Sequence, residues 1–260
     1  LQIMAILARR DLASTRPGSA LHLHLCVEAV KRAFADRHGI ADPAAMTTNT
    51  DAMLDPARLD GMAAGITDRA LPWPQVWQHG DTVYLGAMDG AGNAASVLQS
   101  TYFDWGSGVV AGETGILWQN RGAGFSADPR HPNGFAPGKL PFYTLNPGIA
   151  MRDGRPAFLY GTQGADGQPQ TLAMLLTRLI DFGQDPATAL SGARFLLGRT
   201  FSDSRDSLKI EAHAGADVIA ELAARGHEIS VIPALSPLAG QAGVVMAGPD
   251  GPSGHHDPRP

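Results

Sequence analysis

Asp81-Thr82-Val83-Tyr84-Leu85-Gly86-Ala87-Met88 is followed by Asp89-Gly90-Ala91-Gly92-Asn93 and then by Ala94-Ala95-Ser96-Val97-Leu98-Gln99-Ser100. Two β-prone runs, Thr82–Met88 and Ala94–Ser100, flank a turn-forming pentapeptide, which is the pattern of a hairpin. Upstream of Asp81 the period is helical. Leu23, Val27, Val30 and Phe34 form one stripe of a helix from about Ser19 to Arg37. Asp55-Pro56 is a helix start, with an N-cap carboxylate and proline at the first helical position. Leu71-Pro72-Trp73-Pro74 breaks the pattern, and Gln75 to Gly80 reads as an exposed connector.

Downstream of the hairpin come a glycine-rich stretch from Gly106 to Gly124 and a proline-rich loop from Asp128 to Pro141. Strands are expected at Gly148–Met151 and Ala157–Tyr160, around the turn Arg152-Asp153-Gly154-Arg155. Leu172, Leu175, Leu176, Leu179 and Ile180 mark a helix ended by Gly183, and Pro186 opens a shorter one. Ala216–Arg225, closed by Gly226, is another helix, with strands near Glu228–Ile232 and Gly243–Ala247. Helices, strands, helices and strands in that order imply a layered α+β domain, not alternating βαβ units.

The 260 residues are 44% hydrophobic, enough for a sizeable core. Twenty Lys+Arg against 25 Asp+Glu give a net charge of −5, which argues against a general nucleic-acid or anionic-membrane binder. One cysteine excludes an internal disulfide framework and a cysteine-based zinc site. No apolar run reaches the roughly 18 residues of a membrane span. The chain starts at Leu1 and enters directly into a helical pattern, so it reads as a piece lacking its upstream portion. The compartment stays open between cytoplasm and periplasm.

Single residues carry little by themselves. Cys26, between Leu25 and Val27, fits a small core hydrophobe better than a nucleophile. His22 and His24 are two apart on a helix, so they face different ways and make no ligand pair. His255-His256-Asp257 offers metal ligands but suits a surface position. The glycines of Gly161-Thr162-Gln163-Gly164-Ala165-Asp166-Gly167 do not fit a dinucleotide fingerprint. A threonine at a strand start, such as Thr82, ordinarily reflects β propensity alone.

The ordered set is another matter. Thr82, Asp89, Gly92-Asn93 and Ser100 are followed by Gly106-Ser107-Gly108, Gly112-Glu113-Thr114-Gly115-Ile116 and Gln119-Asn120. Pro141 to Pro147, Gly161 to Gly183, Gly192-Ala193-Arg194-Phe195 and Asp257-Pro258-Arg259 extend it, and Ala33-Phe34-Ala35-Asp36-Arg37 lies upstream. In this order the chain resembles the γ-glutamyltransferase family of N-terminal-nucleophile hydrolases, especially its acylase-like members, over nearly its whole length.

The resemblance implies a four-layer αββα sandwich. Residues 1–81 would be the end of a large subunit, and residues 82–260 a small catalytic subunit released by self-cleavage between Asp81 and Thr82. Thr82 would be the nucleophile, its freed α-amino group the base, and Ser100 a hydroxyl orienting it. The N–H groups of Gly164 and Ala165 would face the oxyanion; family members have two glycines there, and Ala165 restricts φ. The implied partners are a small-molecule acyl donor, water or an amine acceptor, and the two self-cleaved pieces bound to each other. No cofactor is called for.

The departures bear on substrate. Gly124 stands where the family's peptidases hold the donor's α-ammonium with an aspartate, and Arg121 replaces a glutamine. Tyr102 stands for an asparagine, and Tyr143-Thr144 for paired serines. Arg121 is therefore either a clamp for the carboxylate of a dicarboxylic monoamide or a solvated loop residue. Three readings follow: a γ-glutamyl or related dicarboxylic amidohydrolase or acyltransferase, a cephalosporin- or glutaryl-type acylase, or an inactive, unprocessed binding protein.

Overall fold

The computed structural model describes all residues except 47, 74–80 and 201–202; for His38 and Asp81 only the backbone is described. The connector expected at Gln75 to Gly80 lies outside the described residues. Helices α1 (Gln2–Leu7), α2 (Ala20–Ala35), α3 (Thr50–Met53) and α4 (Pro56–Ala64) come first. Ser19 caps α2 by accepting from the His22 N–H, and Asp55 caps α4 ahead of Pro56, both where the sequence places them.

The hairpin follows as β1 (Asp81–Met88) and β2 (Ala94–Tyr102). Then come β3 (Gly148–Arg152), β4 (Arg155–Thr162), α5 (Gln168–Ile180), α6 (Pro186–Ser191) and β5 (Phe195–Leu197). The chain ends with β6 (Leu208–Glu211), α7 (Ala216–Ala224), β7 (Ile229–Ile232), β8 (Ala242–Met246) and β9 (Ser253–His256). β3-β4-β8-β9 form an antiparallel sheet and β5-β6-β7 a smaller mixed one. β6, α7 and β7 make one parallel βαβ crossover inside an otherwise layered α+β chain. The strands β5, β6 and β9 are too short and too irregular in pattern to announce themselves.

The hairpin lies face to face on the four-stranded sheet. Side chains alternate along β1: Thr82 is buried, Val83 exposed, Tyr84 half-buried, Leu85 exposed. Tyr84 fits because its neighbours have no side chains. A Cβ on Gly161 of β4 would meet the Tyr84 ring at 2.1 Å, and one on Gly243 of β8 at 2.8 Å. These two glycines fix β1 on the sheet, and with it Thr82 two residues earlier.

Helix α5 packs on the sheet's other face and belongs to two cores. Leu172, Leu175 and Leu176 pack with Phe158, Val244 and α6. Ala173 and Met174 join α1, α2, β5, β6 and α7. The residues before Asp81 and those after it thus share one apolar interior. Cys26 lies in that interior, fully buried, its thiol pushed up to about 12 by burial, as a small core hydrophobe.

Candidate active site

Thr82 is buried at the start of β1. Asp81 pairs with Tyr102 and Val83 with Gln99, so a bulge sets Thr82 opposite Ser100 and Thr101. Ser100 Oγ accepts from the Tyr102 N–H at 2.9 Å, which ties this hydroxyl to the end of β2. Tyr102 takes φ +83°, a strained conformation for a side chain of that size, and its ring is buried.

Across the sheet, β4 runs into the loop Gln163-Gly164-Ala165, and a single 3-10 turn (Ala165–Gly167) leads into α5. Gly164 has φ +119° and Ala165 φ +45°, so both adopt left-handed backbone. Among the described residues neither N–H donates a main-chain hydrogen bond. Both precede α5, whose N-terminal dipole favours negative charge there. Ala165 meets the requirement for positive φ that a glycine would meet without strain.

Asp166 is buried and ion-paired with Arg37, just past the end of α2. The Arg37 guanidinium lies 5.1 Å from the centroids of both Phe34 and Phe142. An upstream residue therefore holds the loop that carries the two N–H groups. Gln168, at the first position of α5, is fully buried and donates Nε2–H to Thr82 Oγ1 at 3.4 Å.

Arg121 is 2% exposed, which removes the solvated-loop explanation. Its guanidinium lies 4.4 Å from the Tyr143 ring centroid and 4.9 Å from that of Tyr102. Nη1 donates to Thr144 Oγ1 at 3.2 Å, while Nη2 is buried and has no acceptor among the described residues. Burial pushes the guanidinium below its ordinary value, partly offset by the two phenols. Among the described residues it forms no ion pair with a carboxylate. A Cβ on Gly124 would lie 3.5 Å from the Tyr102 hydroxyl, so the Tyr102 phenol lies beside the position where the family's peptidases carry an aspartate.

The structure thus brings Arg121, Tyr102, Tyr143 and Thr144 into one cluster, and Thr82, Ser100 and Gln168 into another. Gly164 and Ala165 stand on the loop leading to Gln168. Sequence reasoning missed Gln168, Asp166 and the role of Arg37. The available signal was Gln168-Pro169-Gln170 at a helix start, two large amides where solvent-facing residues would be cheaper.

His255 and His256 form no ligand cluster with Asp257. His255 bonds Ser253, His256 bonds the Asp257 carbonyl, and the Asp257 carboxylate pairs with Arg194 and Arg259. A different trio, His24, Glu28 and His227, has its donor atoms within 4.8 Å of one another. Those atoms are already engaged: His24 bonds His227 at 2.8 Å and the Thr67 carbonyl at 2.8 Å. Glu28 accepts from Lys31, Arg32 and the Leu71 N–H. A metal here would have to break these bonds and face the Lys31 ammonium, so the trio fits a structural network. Among the described residues no helix is long and apolar enough to cross a membrane.

Residues 1–260 match the gamma-glutamyltranspeptidase family. The chain is 45% identical, over all of its length, to 49% of the oxamate amidohydrolase proenzyme of Klebsiella pneumoniae. It is 38% identical to the glutathione hydrolase-like YwrD proenzyme of Bacillus subtilis, covering 50% of that protein. The cephalosporin acylase from Bacillus halodurans superposes with a TM-score of 0.82 at 30% identity, over 99% of this chain and 48% of that one. The chain spans about half the length of the curated relatives it matches.

Proposed function

We propose a function from the premise that this chain belongs to the gamma-glutamyltranspeptidase family: it carries the catalytic half of a self-processing amidohydrolase for amides whose acyl part ends in a carboxylate. Cleavage before Thr82 divides the protein into a piece ending at Asp81 and a piece comprising residues 82–260, which stay associated through the shared core. The exposed apolar face of the hairpin, with Val83 at 59% and Leu85 at 53%, is covered by the remainder of the large piece.

Thr82 Oγ attacks the amide carbonyl while its α-amino group takes the hydroxyl proton; that amine's reference value of about 7.7–8.0 suits proton transfer near neutrality. The oxyanion is met by the N–H groups of Gly164 and Ala165, each worth roughly 3–4 kcal/mol in comparable sites. The amine hands the proton to the leaving nitrogen, and the C–N bond breaks to leave a threonyl ester. Water or an amine then attacks that ester and restores the hydroxyl.

The observation that carries the substrate class is Arg121: a buried cation with an Nη2 unsatisfied, and no carboxylate partner, among the described residues calls for an anion from outside. The amidohydrolase relative's named substrate, oxamate, is the shortest amide with such an anion. A longer glutaryl-type donor is the second reading, favoured by the superposition on the cephalosporin acylase.

The test is a panel of oxamate, glutaryl anilide, γ-glutamyl anilide and acetyl anilide, with the complete protein and its Arg121→Ala variant. The carboxylate donors lacking an α-ammonium should be hydrolysed at least as well as the γ-glutamyl one. Arg121→Ala should raise KM for the carboxylate donors and spare the acetyl compound. A strong γ-glutamyl preference would overturn the assignment. An intact mass showing no cut at Asp81-Thr82 would favour an unprocessed binding protein.

A further inference from the structure

Two glutamines flank Pro169 at the start of α5, both fully buried, and they are treated differently. Gln170 is satisfied at both ends. Its Nε2 donates to the carbonyls of Asp166 and Leu197 at 3.1 and 3.3 Å, and its Oε1 accepts from the Leu197 N–H at 2.7 Å. That amide is a brace. Gln168 donates a long bond to Thr82 Oγ1, and its Oε1 is buried with no donor among the described residues. A buried acceptor left without a donor is costly, and such a cost is tolerated where the group has a partner at another stage of its working life.

Such a partner arises at the site itself. On the reading of Thr82 as a self-released nucleophile, cleavage turns its peptide N–H into an α-amine with additional N–H bonds. That amine is joined to Oγ1 through only two carbons, so it lies close to the atom that Gln168 already touches. We propose that Gln168 is the positioning residue of the catalytic amine: Oε1 accepts one of its N–H bonds, aims its lone pair at Thr82 Oγ, and stabilises the ammonium formed when the hydroxyl proton is taken. Gln168 then stands to the amine as the third member of a triad stands to its base. Its side chain forms no bond to substrate and leaves the reaction's atom balance unchanged.

The other titratable groups near Thr82 are Tyr84 on its own strand and His256 from β9, which line the same small hollow. Tyr102 pairs with Asp81, next to Thr82, and Asp166, held by Arg37, stands two residues before Gln168. Because several ionisable groups surround Thr82, the amine is best read directly.

The experiment uses the complete, processed protein and its Gln168→Leu and Gln168→Glu variants. Competitive acetylation of the Thr82 α-amine across pH, followed by mass spectrometry of the N-terminal peptide, gives the amine's titration midpoint without any substrate. Oxamate hydrolysis across pH gives the acidic limb of kcat/KM. Gln168→Leu should lower the midpoint by roughly one unit and kcat by about 10–100-fold, the scale of one lost hydrogen bond to a charged group. Gln168→Glu should raise the midpoint above wild type and recover part of the turnover.

A Gln168→Leu midpoint superimposable on that of the wild type would overturn the assignment of Gln168, even if turnover fell. If Gln168→Leu does not accumulate as folded protein, Gln168→Met, which keeps the length of the side chain without an acceptor oxygen, takes its place, with the same lowered midpoint expected and an unchanged one overturning the assignment. A wild-type protein with no Thr82 amine would instead remove the nucleophile on which the proposal rests, an outcome visible in the same spectra.

Discussion

Arg121 is held by shape as much as by charge, because its planar fork lies against the rings of Tyr102 and Tyr143 while one N–H is spent on Thr144. Lysine would keep the charge and lose the stacking and the fork. Arg121→Lys should therefore cut kcat/KM for oxamate by roughly 10–100-fold, mostly through KM; unchanged kinetics would mean that the guanidinium does not touch the donor. Thr82→Ala removes one hydroxyl from both self-cleavage and turnover, so the complete protein should stay uncut and inactive. A fragment ending at Asp81 in that variant would show that another group makes the cut. Ser100→Ala should lower kcat by about 10–1,000-fold in a folded protein, and equal turnover would remove Ser100 from the site. At this scale the sequence singles out Thr82 because it fits an ordered family pattern, and Arg121 because it departs from one. It was silent on Gln168, whose importance lies in an unsatisfied atom that only three-dimensional packing exposes.

Elements were legible where local chemistry decides them. The caps of α2 and α4, the turn at Asp89–Asn93 and the glycine after α7 all fall where short-range rules place them. The three-residue β5 and the edge strand β9 were not, because their residues are strand only by virtue of the neighbours they pair with. The loop between β4 and α5 shows how elements hold the site. Gln170 ties the Asp166 carbonyl on the loop to both main-chain groups of Leu197 on β5. Gln170→Leu would strand those buried groups and should cost about 2–4 kcal/mol in urea unfolding. It should also lower kcat, since the Gly164 and Ala165 N–H groups sit on the released loop. Lost stability with wild-type kcat would show that the loop keeps its shape without the brace.

Across the whole molecule, the helices before Asp81 are fastened to the remainder at two buried points made of neutral histidine. His22 on α2 bonds Thr177 of α5 at 2.9 Å, and His24 bonds His227 just before β7. Burial pushes His22 and His227 down to about 3, with Arg178 adding to the first and Lys31 to the second. His24 is lowered as well, chiefly by burial. The sign follows from linkage: unfolded histidines bind protons below about 6.5, while these folded ones do not. Their contribution to stability is full above that value and is lost progressively as the pH falls toward 3. Between about pH 6.5 and 5, a window above the reference values of carboxylates, these histidines should dominate the slope, each supplying up to about 1.4 kcal/mol per pH unit. The unfolding free energy of the protein should therefore fall on acidification across that window. A variant with His22→Gln and His227→Gln should be less stable at pH 7 but show a clearly shallower fall. An equally steep slope in the double variant would place the acid sensitivity elsewhere, whereas a flattened one would assign it to the buried histidines that fasten these helices to the rest of the chain.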